Sequence, residues 1–127
     1  MGDVSQGPWA PVRRDRVELT EFRAFSPAEW QGRDPPVYDW MIQGAALCST
    51  VAMISGDGGL GKSLLMQQLC TAAALGVDWL GMQVKPCKTF FFGCEDDKDE
   101  LQRRQAKINA HYGCDMGDLA DMLLVSR

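Results

Sequence analysis

The sequence lacks any uninterrupted apolar stretch near the roughly 18 residues that a membrane-crossing helix requires. Its first residues carry Pro, Asp and Arg rather than the apolar core of a secretory signal. Both absences lead us to expect a cytoplasmic protein with no membrane partner. A C-x-x-C pair is missing too: Cys48, Cys70, Cys87, Cys94 and Cys114 are scattered and odd in number, which fits neither a disulfide framework nor a zinc site. They read as reduced, mostly buried small hydrophobes. Histidine is nearly absent, and His111 sits beside Tyr112 near an expected helix end, where a surface or capping role outweighs catalysis or metal binding. Positive charge is in deficit, since 13 basic against 17 acidic residues give a formal net charge of -4. That balance supplies no electrostatic ground for a dedicated nucleic-acid surface, so any DNA contact must be local. Repeats and low-complexity tracts do not occur.

What is present suffices for one globular domain, at 127 residues and 46% hydrophobic content. Pro8, Pro11, Pro27, Pro35 and Pro36 crowd the start, so residues 1–25 read as an extended, partly disordered leader. Phe22, Phe25, Trp30, Tyr38 and Trp40 are too many aromatics for a wholly disordered tail, and some should pack. Ser26-Pro27-Ala28-Glu29 has the cap and proline of a short helix start.

From residue 51 the pattern becomes that of an α/β protein. Val51-Ala52-Met53-Ile54-Ser55 is a short apolar run before glycine-rich sequence, as expected of a strand buried on both faces of a parallel sheet. Lys62 to Leu75 predicts a helix packed on that sheet, with Gly76 as its C-terminal cap. Thr89-Phe90-Phe91-Phe92-Gly93 predicts a second buried strand. Asp97 and Glu100 have capping-box spacing before a helix to about Tyr112, stopped by Gly113, and Leu123-Leu124-Val125-Ser126 opens a third strand.

Between the first strand and helix lies Gly56-Asp57-Gly58-Gly59-Leu60-Gly61-Lys62-Ser63, which satisfies G-x-x-x-x-G-K-[ST] in the context that this motif requires. Glycines let successive main-chain N–H groups turn toward one anion, and the following helix offers its positive end. The loop, with Leu64 just beyond it, is therefore the expected ATP site. Lys62 is expected on the β- and γ-phosphates, and the Ser63 hydroxyl on Mg²⁺. Asp57 stands where partition-type ATPases carry a second lysine, which argues against that branch.

Glu95-Asp96-Asp97 leaves the C-terminal end of the second strand, the edge where ligands sit in open parallel sheets. A carboxylate there can orient the water that attacks the γ-phosphate, and Glu95 leaves the strand first. The competing account is that acids in a first helical turn simply complement its dipole, which suffices for Asp97 and Asp96. Tyr38 and Trp40 are candidates for stacking on adenine, although such aromatics more often fill a core edge.

The string Ile54 to Leu65, the Trp79-Leu80-Gly81 step, and Glu95-Asp96-Asp97 followed by Glu100-Leu101 and Arg103-Arg104 resemble the RecA-like ATPases of the RepA type, over roughly Ala28 to Ser126. These are hexameric replicative helicases of plasmids and phages, with bacterial and prophage relatives. The resemblance implies a P-loop NTPase fold, a RecA-like parallel sheet with flanking helices, of which residues 26–127 form the N-terminal portion without the later strands. It implies catalysis by Lys62 and Glu95, identifies Arg103 and Arg104 with the family's arginine pair, and puts an apolar residue where Gln105 stands. The family's magnesium-binding aspartate and subunit-bridging arginine would lie beyond the last residue. An unfinished sheet edge would favour self-association.

The function expected is thus an ATPase of a DNA-replication or helicase lineage, using ATP and Mg²⁺, with DNA as a possible partner. Two alternatives stay open: a truncated module that holds nucleotide without hydrolysis, and an ATP-dependent regulator or loader acting on proteins.

Overall fold

The computed structural model describes residues 24–126. The chain divides into two units, Met1–Pro36 and Val37–Arg127. The leader expected over 1–25 lies, up to residue 23, outside the described residues. Within the first unit, Pro27–Trp30 forms a 3-10 turn. Ser26 Oγ accepts from the Ala28 amide at 3.3 Å and Glu29 Oε1 from the Ser26 amide at 3.0 Å, so both sides of the expected cap are made.

The second unit is built around α1 (Lys62–Leu75). Its sequence is apolar almost all round, and it is packed on several sides accordingly. Ala72 and Ala73 meet Ile42, Trp79 and Val84, whereas Ala74 faces Phe91, Leu101, Leu119 and Leu123. Alanines let neighbouring chain come close: the Cys87 amide donates to Ala73 O at 3.1 Å. Gly76, at φ 68°, ends the helix as expected and returns its N–H to Ala72 O and Ala73 O.

On one flank, β1 (Trp40–Ile42) and β2 (Ala46–Leu47) form an antiparallel hairpin. Residues 83–85 extend it, through Gln43 N to Gln83 O and Lys85 N to Met41 O, each 2.9 Å. On the other flank, β3 (Thr89–Phe92) and β4 (Leu123–Ser126) pair in parallel, with Thr89 opposite Leu123 and Phe92 opposite Ser126. The connection between them is α2 (Lys98–Tyr112), which packs against α1 and ends at Gly113, again at positive φ. The third strand and both long helices stand where the sequence predicts them.

Two expectations are corrected. Residues 51–55 form no strand, and Val51 and Met53 are 99% and 88% exposed. A strand buried on both faces needs partners on both edges and covering elements above and below. Among the described residues no strand pairs with this segment. The second strand is buried on one face only: Phe91 packs inward, but Phe90 and Phe92 are 61% and 57% exposed, as is Leu124 beside them at 63%. Helix α1 lies against the inward face, with Leu101 of α2 in the same cluster, so the described α/β unit has a two-stranded parallel sheet with one open side.

Candidate functional site

The turn into α1 is made by Gly61, the residue before the helix, at φ 78° and ψ 18°. An L side chain there would crowd its own carbonyl, so glycine is favoured by backbone conformation. Leu65 N–H reaches Gly61 O at 2.9 Å to close the first turn. No side chain caps this end and no acid occupies its first turn. Its leading N–H groups, which lack carbonyls one turn back, therefore remain available, and the positive end of the helix dipole is uncompensated.

The loop before it curls over Lys62. The ammonium donates to Gly56 O at 2.8 Å and to Asp57 O at 2.5 Å, so one charge ties the start of the loop to its end. A Cβ added at Gly58 would meet nothing within 4 Å, and one at Gly56 would touch only the Leu60 and Lys62 side chains. The concave side is open. Ser63 and Leu64 are exposed at the same turn. Main-chain donors, a lysine ammonium and an exposed hydroxyl suit a phosphate chain with a divalent cation.

The acidic string sits at the end of β3. Gly93 N–H extends the ladder to Ser126 O at 2.9 Å, and a Cβ on Gly93 would lie 3.0 Å from Phe91 Cε1 and 3.3 Å from Leu101 Cδ2. Glycine here permits the strand end to approach α2. The three acids then take three different courses. Asp97 caps α2 by accepting from Glu100 N–H at 2.8 Å. The Glu100 carboxylate does not return the bond that a full capping box would need; it turns to Arg103 and Arg104, each at 3.0 Å, and these hold it below the usual carboxylate range. Asp96 is held by both terminal nitrogens of Arg104, at 2.6 and 2.9 Å, which keeps that guanidinium charged. Glu95 is exposed and, among the described residues, has no hydrogen-bond or ion-pair partner.

The relation between loop and acids is set deep in the protein. Gln67 and Thr71 of α1 are fully buried, and Gln105 and Asn109 of α2 nearly so. Gln67 Nε2 donates to Leu101 O at 3.1 Å and to Gln105 Oε1 at 2.8 Å. Gln105 Nε2 donates to Thr71 Oγ1 and to Asn109 Oδ1, both at 2.9 Å. The pairs Gln67–Leu101 and Thr71–Gln105 share one sequence offset of 34. Since both sequence numbers rise together along the ladder, the two helices run parallel and in step. One turn back from Gln67 is Ser63, and one turn back from Leu101 is Asp97. The two N-termini therefore stand at the same end of the pair, which brings the Gly56–Ser63 loop and the Glu95–Asp97 string to one edge. The chain entering β3 agrees: the Cys87 amide bonds to Ala73 O at 3.1 Å and Thr89 Oγ1 to Cys70 O at 3.0 Å, so it runs toward the start of α1.

Gln105, standing where the resembled family carries an apolar residue, is a centre of this ladder. Sequence reading missed it because a glutamine on a helix ordinarily faces water. The available signal was position: Leu101, Gln105 and Ile108 fall on one face at helical spacing.

Trp40 is not brought to the loop. It lines a cavity of about 310 Å³ with Gly76 and Asp78 at the far end of α1. That is a helix length, about 20 Å, from Lys62. Tyr38, itself exposed, meets Trp40 obliquely at 5.5 Å beside the hairpin. A second cavity, about 700 Å³ between α2 and β4, contains Lys98 and Ser126 but none of Gly56–Ser63. His111 makes an edge contact with Tyr112 at 5.0 Å, consistent with a surface role.

All five cysteines are free, and among the described residues no group of three His, Cys, Asp or Glu side chains is placed to hold a metal. Within the same residues, no helix is long and apolar enough to cross a membrane. No curated protein and no solved structure matches the chain. A family model, the AAA domain, matches residues 14–127, which contain both the glycine loop and the acidic string. The chain belongs to the AAA domain family of nucleotide-binding ATPases.

Proposed function

We propose that this chain binds ATP with Mg²⁺ at Gly56–Ser63 and hydrolyses it, as part of a RecA-like ATPase of a DNA-replication or helicase lineage. The observation that carries the reading is the parallel pairing of α1 and α2, which sets a phosphate-competent loop and an unengaged carboxylate at one edge. The amides after Gly61 bind the phosphate chain. Lys62 exchanges the Gly56 and Asp57 carbonyls for the β- and γ-phosphate oxygens, so that its ammonium trades neutral acceptors for charged ones. Ser63 would hold the cation through its hydroxyl, and the cation would supply neutralisation of the phosphate charge. Glu95, with no internal partner, orients the attacking water and accepts its proton.

The electrostatics support this division of labour. The start of α1 has no acid, whereas Asp97, Asp99 and Glu100 crowd the start of α2. One helix end attracts the anion and its neighbour holds carboxylates beside it.

Phosphate release tests the reading. Wild-type protein turns over ATP; Lys62→Ala loses nucleotide binding, and Glu95→Gln keeps binding but loses at least about 10²-fold in rate. Stimulation of that rate by single-stranded DNA tests the helicase lineage, and a rate indifferent to DNA favours a regulator or loader. A second reading, a module that holds nucleotide without turnover, draws on the exposure of Glu95 and of the 51–55 segment, which leaves the edge open to bulk water. Tight MgATP binding with no phosphate released selects it.

A further inference from the structure

Between Gly93, tied to Ser126 O, and Asp97, tied to Glu100 N–H, the chain carries Cys94, Glu95 and Asp96. Cys94 and Glu95 are exposed and, among the described residues, make no side-chain bond that would fix their direction. The side-chain anchor in this stretch is Asp96, and its partner is Arg104, two turns along α2. The contact is a fork on a fork: two guanidinium nitrogens meet two carboxylate oxygens, at 2.6 and 2.9 Å. The third nitrogen of Arg104 is also engaged, to Glu100 at 3.0 Å. Both members of the pair are largely withdrawn from water, at 24% and 19% side-chain exposure, unlike Arg103 at 65%. A planar bidentate pair fixes direction as well as distance, which a lysine at the same place could not do.

We propose that Arg104 is a positioning residue for Glu95: by clamping the adjacent Asp96 against α2, it sets the direction in which the Glu95 carboxylate leaves the turn. This rests on the hydrolytic role proposed for Glu95. Arg104 bonds to Asp96 and Glu100 rather than to Glu95; it acts through the one intervening peptide. Arg103, although neighbouring, reaches only Glu100 from an exposed position and has no such role.

The test compares Arg104→Ala, Arg104→Lys and Asp96→Asn with wild type in the full chain. Two readouts are taken: peptide-resolved amide exchange over 93–97, and the split of ATP turnover into kcat and KM. In Arg104→Ala, exchange at 94–96 rises about tenfold or more while that of the α1 and α2 cores does not. The kcat falls about tenfold with KM for ATP nearly unchanged. Arg104→Lys recovers part of the kcat, and Asp96→Asn, which leaves the Arg104–Glu100 contact, reproduces the loss. Should Arg104→Ala fail to fold, Asp96→Asn decides by the same two measurements. Unchanged exchange at 94–96 in a folded variant overturns the proposal. So does increased exchange with wild-type kcat, or a rise spread evenly over the whole domain. If wild-type protein releases no phosphate, the hydrolytic reading fails by itself, and exchange alone then decides whether Arg104 orders the turn.

Discussion

Gln67, with no solvent exposure, gives one amide hydrogen to the Gln105 side chain and another to the Leu101 carbonyl, so a single side chain of α1 grips both backbone and side chain of α2. The bond to the Leu101 carbonyl, with that from Gln105 to Thr71, is also what fixes the two helices in step. Gln105→Leu preserves volume but leaves Asn109 Oδ1 without its donor and Gln67 without one acceptor. We expect a loss of about 1–3 kcal/mol from such stranded polar groups. The urea midpoint measures it. Gln67→Leu/Gln105→Leu should recover part of the loss, because an apolar pair strands fewer groups than a half-removed one. A midpoint unchanged in the single variant would show that the ladder contributes nothing.

Gly93 carries a different constraint. Its virtual Cβ falls within 3.0 Å of Phe91 and 3.3 Å of Leu101, and both of those side chains are buried. Gly93→Ala should destabilise by about 1–3 kcal/mol, the usual cost of overpacking. Thermal or urea denaturation reports it, and a loss below the error of the measurement would mean that strand and helix separate freely here.

Trp40→Leu probes the opposite end of α1. The ring lies beside Gly76, so nucleotide affinity should stay within about twofold of wild type, under about 0.5 kcal/mol. Calorimetric titration with MgATP tests this. A much weaker complex would bring Trp40 back as an adenine contact.

Alkaline pH should weaken the fold. Burial, with Cys87 nearby as a second cause, pushes the Cys70 thiol above its ordinary 9.0, and burial likewise raises Tyr112 above 10.0. Above pH 9.0 the unfolded chain releases the Cys70 proton that the folded chain still holds. The unfolded state then binds fewer protons, so stability falls as pH rises. Urea midpoints between about pH 7.5 and about pH 10.5 should decline, and less steeply in Cys70→Ala. An identical slope in that variant would remove Cys70 from the account.

Much of this architecture is legible in local sequence because its signals are local. Gly61 and Gly76 bound α1, Asp97 and Gly113 bound α2, and caps depend only on residues within a turn of them. The parallel strand at Leu123 could be read from its apolar run. The exposure of Val51–Ser55 could not, since burial of a strand is a property of its neighbours rather than of its own composition. At the site, the loop and the acidic string were each visible in sequence. What joined them was not: Gln67, Thr71, Gln105 and Asn109 are polar, and polar residues on a helix carry no label that says they face inward.

The common offset along the α1–α2 ladder bears on which changes in chain length the protein can absorb. Residues added to the connection that follows Gly76 would lengthen an excursion without moving either helix start. A single residue inserted between Ser63 and Gln67, or between Asp97 and Leu101, would rotate one start by about 100° and lift it about 1.5 Å against the other. Insertions in relatives of this chain should therefore gather in the connections and avoid those two first turns.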